Sequence, residues 1–129
     1  MGTDKPGGRL RRAFRGLASS QDEREAEELQ DVAADFGARQ VIACCDREMV
    51  TLFGTLKTVT FSPRGGVPAL EGELYDGTGT VTLVWLGRRR IAGIRPGVEM
   101  IVSGRIGIVD GNRVMFNPRY ELRPTVAHG

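Results

Sequence analysis

The chain has 129 residues, of which 40% are hydrophobic, and a formal net charge of +2 at pH 7. This size and composition are typical of one folded domain with tails. No segment approaches the roughly 18 consecutive apolar residues of a membrane-spanning helix, and the basic N-terminus is not followed by the apolar core of a signal peptide. We therefore expect one cytoplasmic domain without a membrane partner.

Charge is segregated along the chain. Residues 1–20 carry five basic side chains against Asp4, a net +4, whereas residues 21–39 carry seven acids against Arg24 and Arg39, a net −5. From Val50 onward, ten Lys or Arg residues stand against six acids. This distribution favours a polyanion as a partner, although modest positive charge also serves solubility.

The first part of the chain divides into two predicted segments. Residues 1–19, rich in Gly and Arg, are predicted to be a flexible basic arm that either stays disordered or orders on binding. Residues 20–38 are predicted to be an acidic amphipathic helix, because Ser20 and Glu23 form a capping-box pattern and Gly37 can end a helix. Its inward stripe is predicted to be Ala26, Leu29, Val32, Ala33 and Phe36. Its acidic face is a solvated surface, a dock for a protein partner, or a shield over a basic groove.

The cysteines and the histidine give no sign of a metal site, a cofactor or a catalytic centre. Cys44 and Cys45 are adjacent, so a disulfide between them would have unfavourable geometry and close no stabilising loop. The only histidine, His128, lies at the C-terminus. We expect reduced thiols with a structural or incidental role, no bound metal and no cofactor.

Beyond Met49 the hydrophobic period changes from 3.6 to 2, which predicts five β-strands. The predicted strands are 50–61, 69–75, 80–85, 99–108 and 113–120. Asp76-Gly77 and Asp110-Gly111 predict tight turns, Gly54 predicts a bend that lets the first strand serve two sheets, and Ile91 and Ile94 are spaced for a short helical turn. Five strands with a helical element between the third and fourth predict an all-β oligonucleotide-binding (OB) Greek-key barrel over residues 47–123, preceded by the helix and followed by a disordered tail, 124–129.

Several short motifs carry a resemblance to a known family. They are Asp76-Gly77-Thr78-Gly79, Thr82-Leu83-Val84-Trp85, Arg95-Pro96-Gly97, Ser103-Gly104-Arg105 and Asn117-Pro118-Arg119-Tyr120. In this order and spacing the chain resembles OB domains of the anticodon-binding type and, more closely, the wedge domain of RecG-type branched-DNA helicases.

The resemblance implies binding of single-stranded or junction DNA, with RNA as an alternative, and an accessory role in DNA repair or recombination. The chain has no Gly-x-x-x-x-Gly-Lys-Ser/Thr phosphate loop, so we expect no ATP hydrolysis. At the positions where the helicase wedge has base-stacking aromatic residues, this chain has Leu86 and Arg90.

Ten residues are candidates for contacts with nucleic acid. They are Lys57, Arg64, Tyr75, Trp85, Arg88, Arg89, Arg90, Arg113, Arg119 and Tyr120. The basic residues would neutralise phosphates, and the aromatic residues would stack on bases. The alternatives are a solvated loop for the Arg triplet and packing in the core for Trp85 and both tyrosines. Glu71 and Glu73 would oppose a phosphate chain unless they accept hydrogen bonds from base amino groups.

Three classes of function follow. The first is a non-enzymatic OB protein that binds single-stranded or branched nucleic acid, with DNA favoured over RNA. The second is a protein-interaction module in which the barrel is a scaffold. An enzyme is the third and least favoured class, because catalysis needs His, Cys or paired carboxylates held in a pocket.

Overall fold

The computed structural model describes residues 16–123, with side chains described from residue 20. Most of the predicted arm, 1–19, and all of the predicted tail, 124–129, lie outside the described residues. Residues 16–123 contain a helix, a short 3-10 helix (Val41–Ala43) and six strands. We number them α1 (Gly16–Asp35), β1 (Met49–Phe61), β2 (Ala69–Tyr75), β3 (Thr80–Leu86), β4 (Glu99–Val109), β5 (Asn112–Phe116) and β6 (Arg119–Arg123).

Five of the strands close into a ring. The hydrogen-bonded order is β1-β2-β3-β5-β4, and β4 pairs again with β1. All neighbours are antiparallel except β3 and β5, which are parallel. β6 pairs with β4 on the edge opposite to the one that pairs with β1. This is the OB-type barrel that the sequence predicted, and closure leaves the ring without an open edge.

β1 is long enough to belong to both halves of the barrel. Its first half, Met49 to Thr55, pairs with β4, and its second half, from Thr55 to Phe61, pairs with β2. The register shifts between Leu56 and Thr58, so the strand has an irregularity where it changes partner. At Gly54 a Cβ atom would lie 2.4 Å from the Tyr75 carbonyl oxygen. β1 thus pairs with two strands of one closed sheet rather than serving two sheets, and its irregularity lies just after the predicted bend at Gly54. Glycine is required at position 54 by the close approach of the Tyr75 carbonyl.

The barrel interior is filled by the apolar side chains that alternate along each strand. The main cluster includes Leu52 and Leu56 of β1, Leu74 of β2, Leu83 of β3 and Met100 of β4, all fully buried. In the segment between β3 and β4, Ile91 and Ile94 are also buried and close the core. The residues left on the outer face are therefore available for other contacts.

α1 packs on the outside of the barrel. Leu29 and Ala33 are buried against Phe53 of β1, in agreement with the predicted inward stripe. The helix begins at Gly16, so Ser20 lies inside it and does not cap it. It ends before Gly37, which has φ 65°. Phe36 lies beyond the last helical residue and is 47% exposed, so its predicted burial is wrong.

Two further details differ from the sequence predictions. Residues 87–98 form turns and no helix, because Gly93 and Gly97 take positive φ values of 83° and 96° that interrupt a helix. The predicted last strand is divided into β5 and β6 at Asn117-Pro118, where Asn117 has φ 49° and Pro118 has no N–H to donate. The hairpin turn at Asp110-Gly111 is confirmed, with φ values of 52° and 79°.

Candidate nucleic-acid interface

The connections between strands lie at two opposite ends of the barrel. Because β3 and β5 run parallel, both finish at the same end. That end also holds the β1–β2 connection (62–68), since Ala69 at the start of β2 pairs with Leu86 at the end of β3. The other end holds the β2–β3 loop (76–79) and the Asp110-Gly111 turn.

At the first end three connections that are distant in sequence are joined by hydrogen bonds. The amide of Gly87 donates to the carbonyl of Pro68 at 2.7 Å, the amide of Leu86 to Oδ1 of Asn117 at 2.9 Å, and the amide of Asn117 to the carbonyl of Val84 at 2.6 Å. This surface carries five exposed arginines, which we call the arginine end: Arg64, Arg88, Arg89, Arg90 and Arg119.

The five arginines differ in their contacts. Arg64 binds the carboxylate of Glu71 through Nε at 3.0 Å, and its Cζ lies 5.6 Å from the centre of the Phe116 ring. The Cζ of Arg89 lies 5.3 Å from the centre of the Phe61 ring. Within residues 20–123, only Arg64 of the five forms an ion pair. The arginine end is therefore a surface of net positive charge.

The structure places Lys57 and Arg113 away from the arginine end. Nζ of Lys57 forms an ion pair with Glu25 of α1 at 2.7 Å, on the side of the barrel. Arg113 lies at the opposite end, where its guanidinium donates to the carbonyls of Ile42 at 3.0 Å and Cys44 at 3.2 Å. The expectation that both residues join Arg64 and Arg119 in one groove is wrong, because each has a partner of its own elsewhere.

Two of the three predicted stacking residues are committed to packing, and the third is partly exposed. Trp85 is 5% exposed, and its indole N–H donates to the Pro118 carbonyl at 3.3 Å. Tyr120 is 39% exposed and meets Trp85 edge-on at 5.8 Å. Tyr75 packs against the cluster under α1, with Nζ of Lys57 5.3 Å from its ring centre. For Trp85 and Tyr75 the packing interpretation is the one that fits these contacts.

Two exposed aromatic side chains were not among the candidates drawn from the sequence. Phe61 and Phe116 are each 43% exposed, and each is the last residue of a strand that finishes at the arginine end. An aromatic residue at the last position of a strand, beside a loop with arginine, is the signal that could have pointed to them. The period-2 pattern assigned Phe61 only to a strand face.

A polar depression of about 320 Å³ lies on the outer face of β1, β2 and β3, lined by Thr58, Thr60, Ser62, Glu71, Gly72, Glu73 and Thr82. It lies along β1 between Lys57 and the β1–β2 connection. Glu71 is paired with Arg64, whereas Glu73 faces the Thr58 hydroxyl at 3.5 Å. The two carboxylates thus interrupt the positive surface between Lys57 and the arginine end.

The opposite end is held together by internal hydrogen bonds. Asp76 is fully buried, and its carboxylate accepts bonds from the amides of Val41, Thr78 and Gly79 and from the Thr78 hydroxyl, at 2.7 to 3.0 Å. A Cβ atom at Gly77, which has φ 97°, would lie 2.7 Å from the Ala26 carbonyl oxygen of α1. This end therefore fixes the 3-10 helix and α1 on the barrel.

The cysteines lie beside the opposite end and are not bonded to each other. Burial, and after it the negative charge of Glu48, raises the pKa of the Cys44 thiol. The thiol therefore stays protonated at neutral pH, which makes it a poor nucleophile. In the part of the chain that the structure describes, no three Cys, His, Asp or Glu side chains form a group that could hold a metal ion. In the same range, no helix is long and apolar enough to cross a membrane.

Comparison with known proteins gives a match of fold. No protein-family model and no curated protein sequence matches the chain. Six chains of solved structures match, among them a structure of RecG bound to a three-way DNA junction. That match has a TM-score of 0.51 and 21% sequence identity, and it covers 67% of this chain but only 12% of the RecG chain. At this identity the likeness shows a shared fold, in agreement with the predicted barrel.

Proposed function

We propose that the barrel is a non-enzymatic module that binds single-stranded or branched DNA, with the arginine end as its contact surface. The observation that carries the proposal is the convergence of three distant connections, which presents five exposed guanidinium groups on one end of the barrel. A guanidinium group binds two oxygens of one phosphate in a bidentate manner, and each neutralised phosphate releases condensed counterions. RNA is the alternative ligand.

Two further observations support the proposal. The fold is shared with a part of RecG, which has been solved bound to a three-way DNA junction, and this favours DNA as the ligand. An accessory role in repair or recombination is part of the proposal. The raised pKa of the buried Cys44 thiol makes this side chain a poor nucleophile, in keeping with a binding module.

The salt dependence of binding tests the proposal. We expect the triple variant R88A/R89A/R90A to bind labelled single strands and forks more weakly. The negative slope of log affinity against log salt should become less steep by about 2, because each lost phosphate contact on a single strand removes about 0.7 from its magnitude. The measurement is fluorescence anisotropy between about 50 and 200 mM salt, the range over which counterion release dominates.

The matched control removes three exposed cations outside the arginine end, in the variant R24A/R39A/K57A. It has the same net charge as the triple variant, and the exposed ion pairs that it breaks contribute little to stability. Because Arg39 also donates to the Ala43 carbonyl at 3.0 Å, circular dichroism checks that this variant is folded. Its salt slope should stay close to that of the wild type. Equal losses in both variants would mean that DNA responds to net charge alone and would remove the arginine end from the site.

A protein-interaction module is the second candidate function. The observation in its favour is that exposed apolar side chains, among them Val67 and Leu86, lie beside the arginines, and such a mixture also suits a protein partner. A pull-down from lysate that survives nuclease and high salt, together with no binding of the DNA probes by the purified chain, would favour this function over DNA binding.

A further inference from the structure

We infer that Phe61 and Phe116 are base-stacking platforms, and that the ligand of the arginine end is DNA with unpaired bases. This inference rests on the proposed function, to which it adds the residues that stack on unpaired bases. Neither phenylalanine was among the candidates drawn from the sequence, and neither occupies the position where the helicase wedge has its aromatic residues.

Phe61 and Phe116 are exposed and have no aromatic partner among the described residues. Each residue is 43% exposed, whereas Phe53 is fully buried and Trp85 is 5% exposed. Phe36 stacks on Phe53 at 5.9 Å and Trp85 meets Tyr120, but neither Phe61 nor Phe116 pairs with another ring described in residues 20–123. Both rings are thus apolar surface in contact with water, and burying them against a flat apolar ligand is favourable.

A cation lies beside each ring. Arg89 lies over Phe61, and Arg64 lies over Phe116, with Cζ at 5.3 and 5.6 Å from the ring centres. A guanidinium group on a long side chain can leave the ring when a base takes its place. It can then bind the adjoining phosphate or stack on the other face of the base. Each pair therefore offers one surface for a base and one cation for the phosphate beside it.

Stacking platforms discriminate between duplex DNA and DNA with unpaired bases. Bases inside a duplex are stacked on one another and cannot lie on a side-chain ring without being unpaired. A surface with two platforms therefore favours single strands and the unpaired arms of junctions over intact duplex. The positive charge alone would bind both kinds of DNA, so the two contributions can be separated by experiment.

The test uses the variants Phe61→Leu and Phe116→Leu, which keep an apolar side chain but remove the flat ring. Fluorescence anisotropy is measured with a labelled oligothymidylate, with an abasic strand of the same length and charge, and with a duplex. We expect each variant to lose roughly tenfold in affinity for oligothymidylate. Affinity for the abasic strand and the salt slope should not change, because the phosphate contacts remain. Phe116→Trp should keep the affinity, since tryptophan stacks at least as well.

The matched control is Phe36→Leu, another exposed phenylalanine with a guanidinium over its ring, that of Arg123, but on the side of the barrel under α1. It should bind all three probes as the wild type does. Wild-type affinity that is equal for oligothymidylate and the abasic strand, or leucine variants that bind both as the wild type does, would overturn the stacking inference while DNA binding itself stands. Absence of binding to every probe would overturn the proposed function and the inference together.

Discussion

The two ends of the barrel use charged side chains in opposite ways. At the end beside Val41–Ala43, the carboxylate of Asp76 and the guanidinium of Arg113 bind backbone groups of the chain itself. At the arginine end, the guanidinium groups face solvent, and within the described residues only Arg64 has an acidic partner. An arginine that is bonded to its own backbone stabilises the fold, whereas one without such partners is available to a ligand. Residue type alone therefore does not identify the binding surface.

The largest effect that this comparison predicts is on stability, in the variant Asp76→Ala. Three backbone amides and the Thr78 hydroxyl would lose a buried charged acceptor. Since a hydrogen bond to a charged group contributes about 1.5 to 3 kcal/mol, we expect the free energy of unfolding to fall by at least about 3 kcal/mol. Chemical denaturation followed by circular dichroism measures this loss.

The control for Asp76→Ala is Asp31→Ala, which removes an exposed aspartate of α1. It should change the free energy of unfolding by less than about 0.5 kcal/mol, as is usual for surface substitutions. At a temperature where Asp76→Ala remains folded, its DNA affinity should equal that of the wild type. An unchanged unfolding midpoint in Asp76→Ala would contradict the structural role assigned to this end.

Two single variants, one at each end of the barrel, should have opposite effects on stability and on the salt dependence of DNA binding. Arg113→Ala should lower the free energy of unfolding by about 2 kcal/mol, since the carbonyls of Ile42 and Cys44 lose their charged donor, and it should leave the salt slope unchanged. Arg88→Ala should leave stability unchanged and lower the slope by about 0.7. Denaturation and anisotropy on the same two proteins give all four values. A lower slope in Arg113→Ala would mean that the DNA surface extends beyond the arginine end.

The barrel could be predicted from the sequence because its signals are local. Alternation of apolar residues, Asp110-Gly111 and the change of period after Met49 each depend on a few neighbouring residues. The two wrong predictions within the barrel, a helical turn after β3 and one continuous last strand, both came from apolar spacing alone. The spacing of Ile91 and Ile94 does not reveal the positive φ of Gly93. The alternation across Asn117-Pro118 likewise does not reveal the break between β5 and β6.

The site could be predicted only in part, because partners across the fold decide which side chains are available. Arg88, Arg89 and Arg90 were correctly expected in an exposed connection, since three consecutive arginines cannot all be buried. Nothing local distinguishes Arg113 from Arg119, yet one binds carbonyls more than 60 positions away in sequence and the other is exposed. The exposure of Phe61 and Phe116 likewise depends on how the connections meet at one end.

The smallest predicted effect concerns Glu71, the one acid paired with an arginine of the arginine end in the described residues. Its carboxylate partly neutralises Arg64 and repels phosphate, so Glu71→Gln should raise DNA affinity by roughly threefold at low salt, and the gain should shrink as salt screens the charges. Glu73→Gln is the matched control, because Glu73 lies on the same face and forms no ion pair with an arginine within residues 20–123. Equal gains in both variants would mean that only the local field has changed. A larger gain in Glu71→Gln would mean that Arg64 has been released to bind phosphate, and a loss of affinity would mean that Glu71 instead holds Arg64 in its binding position.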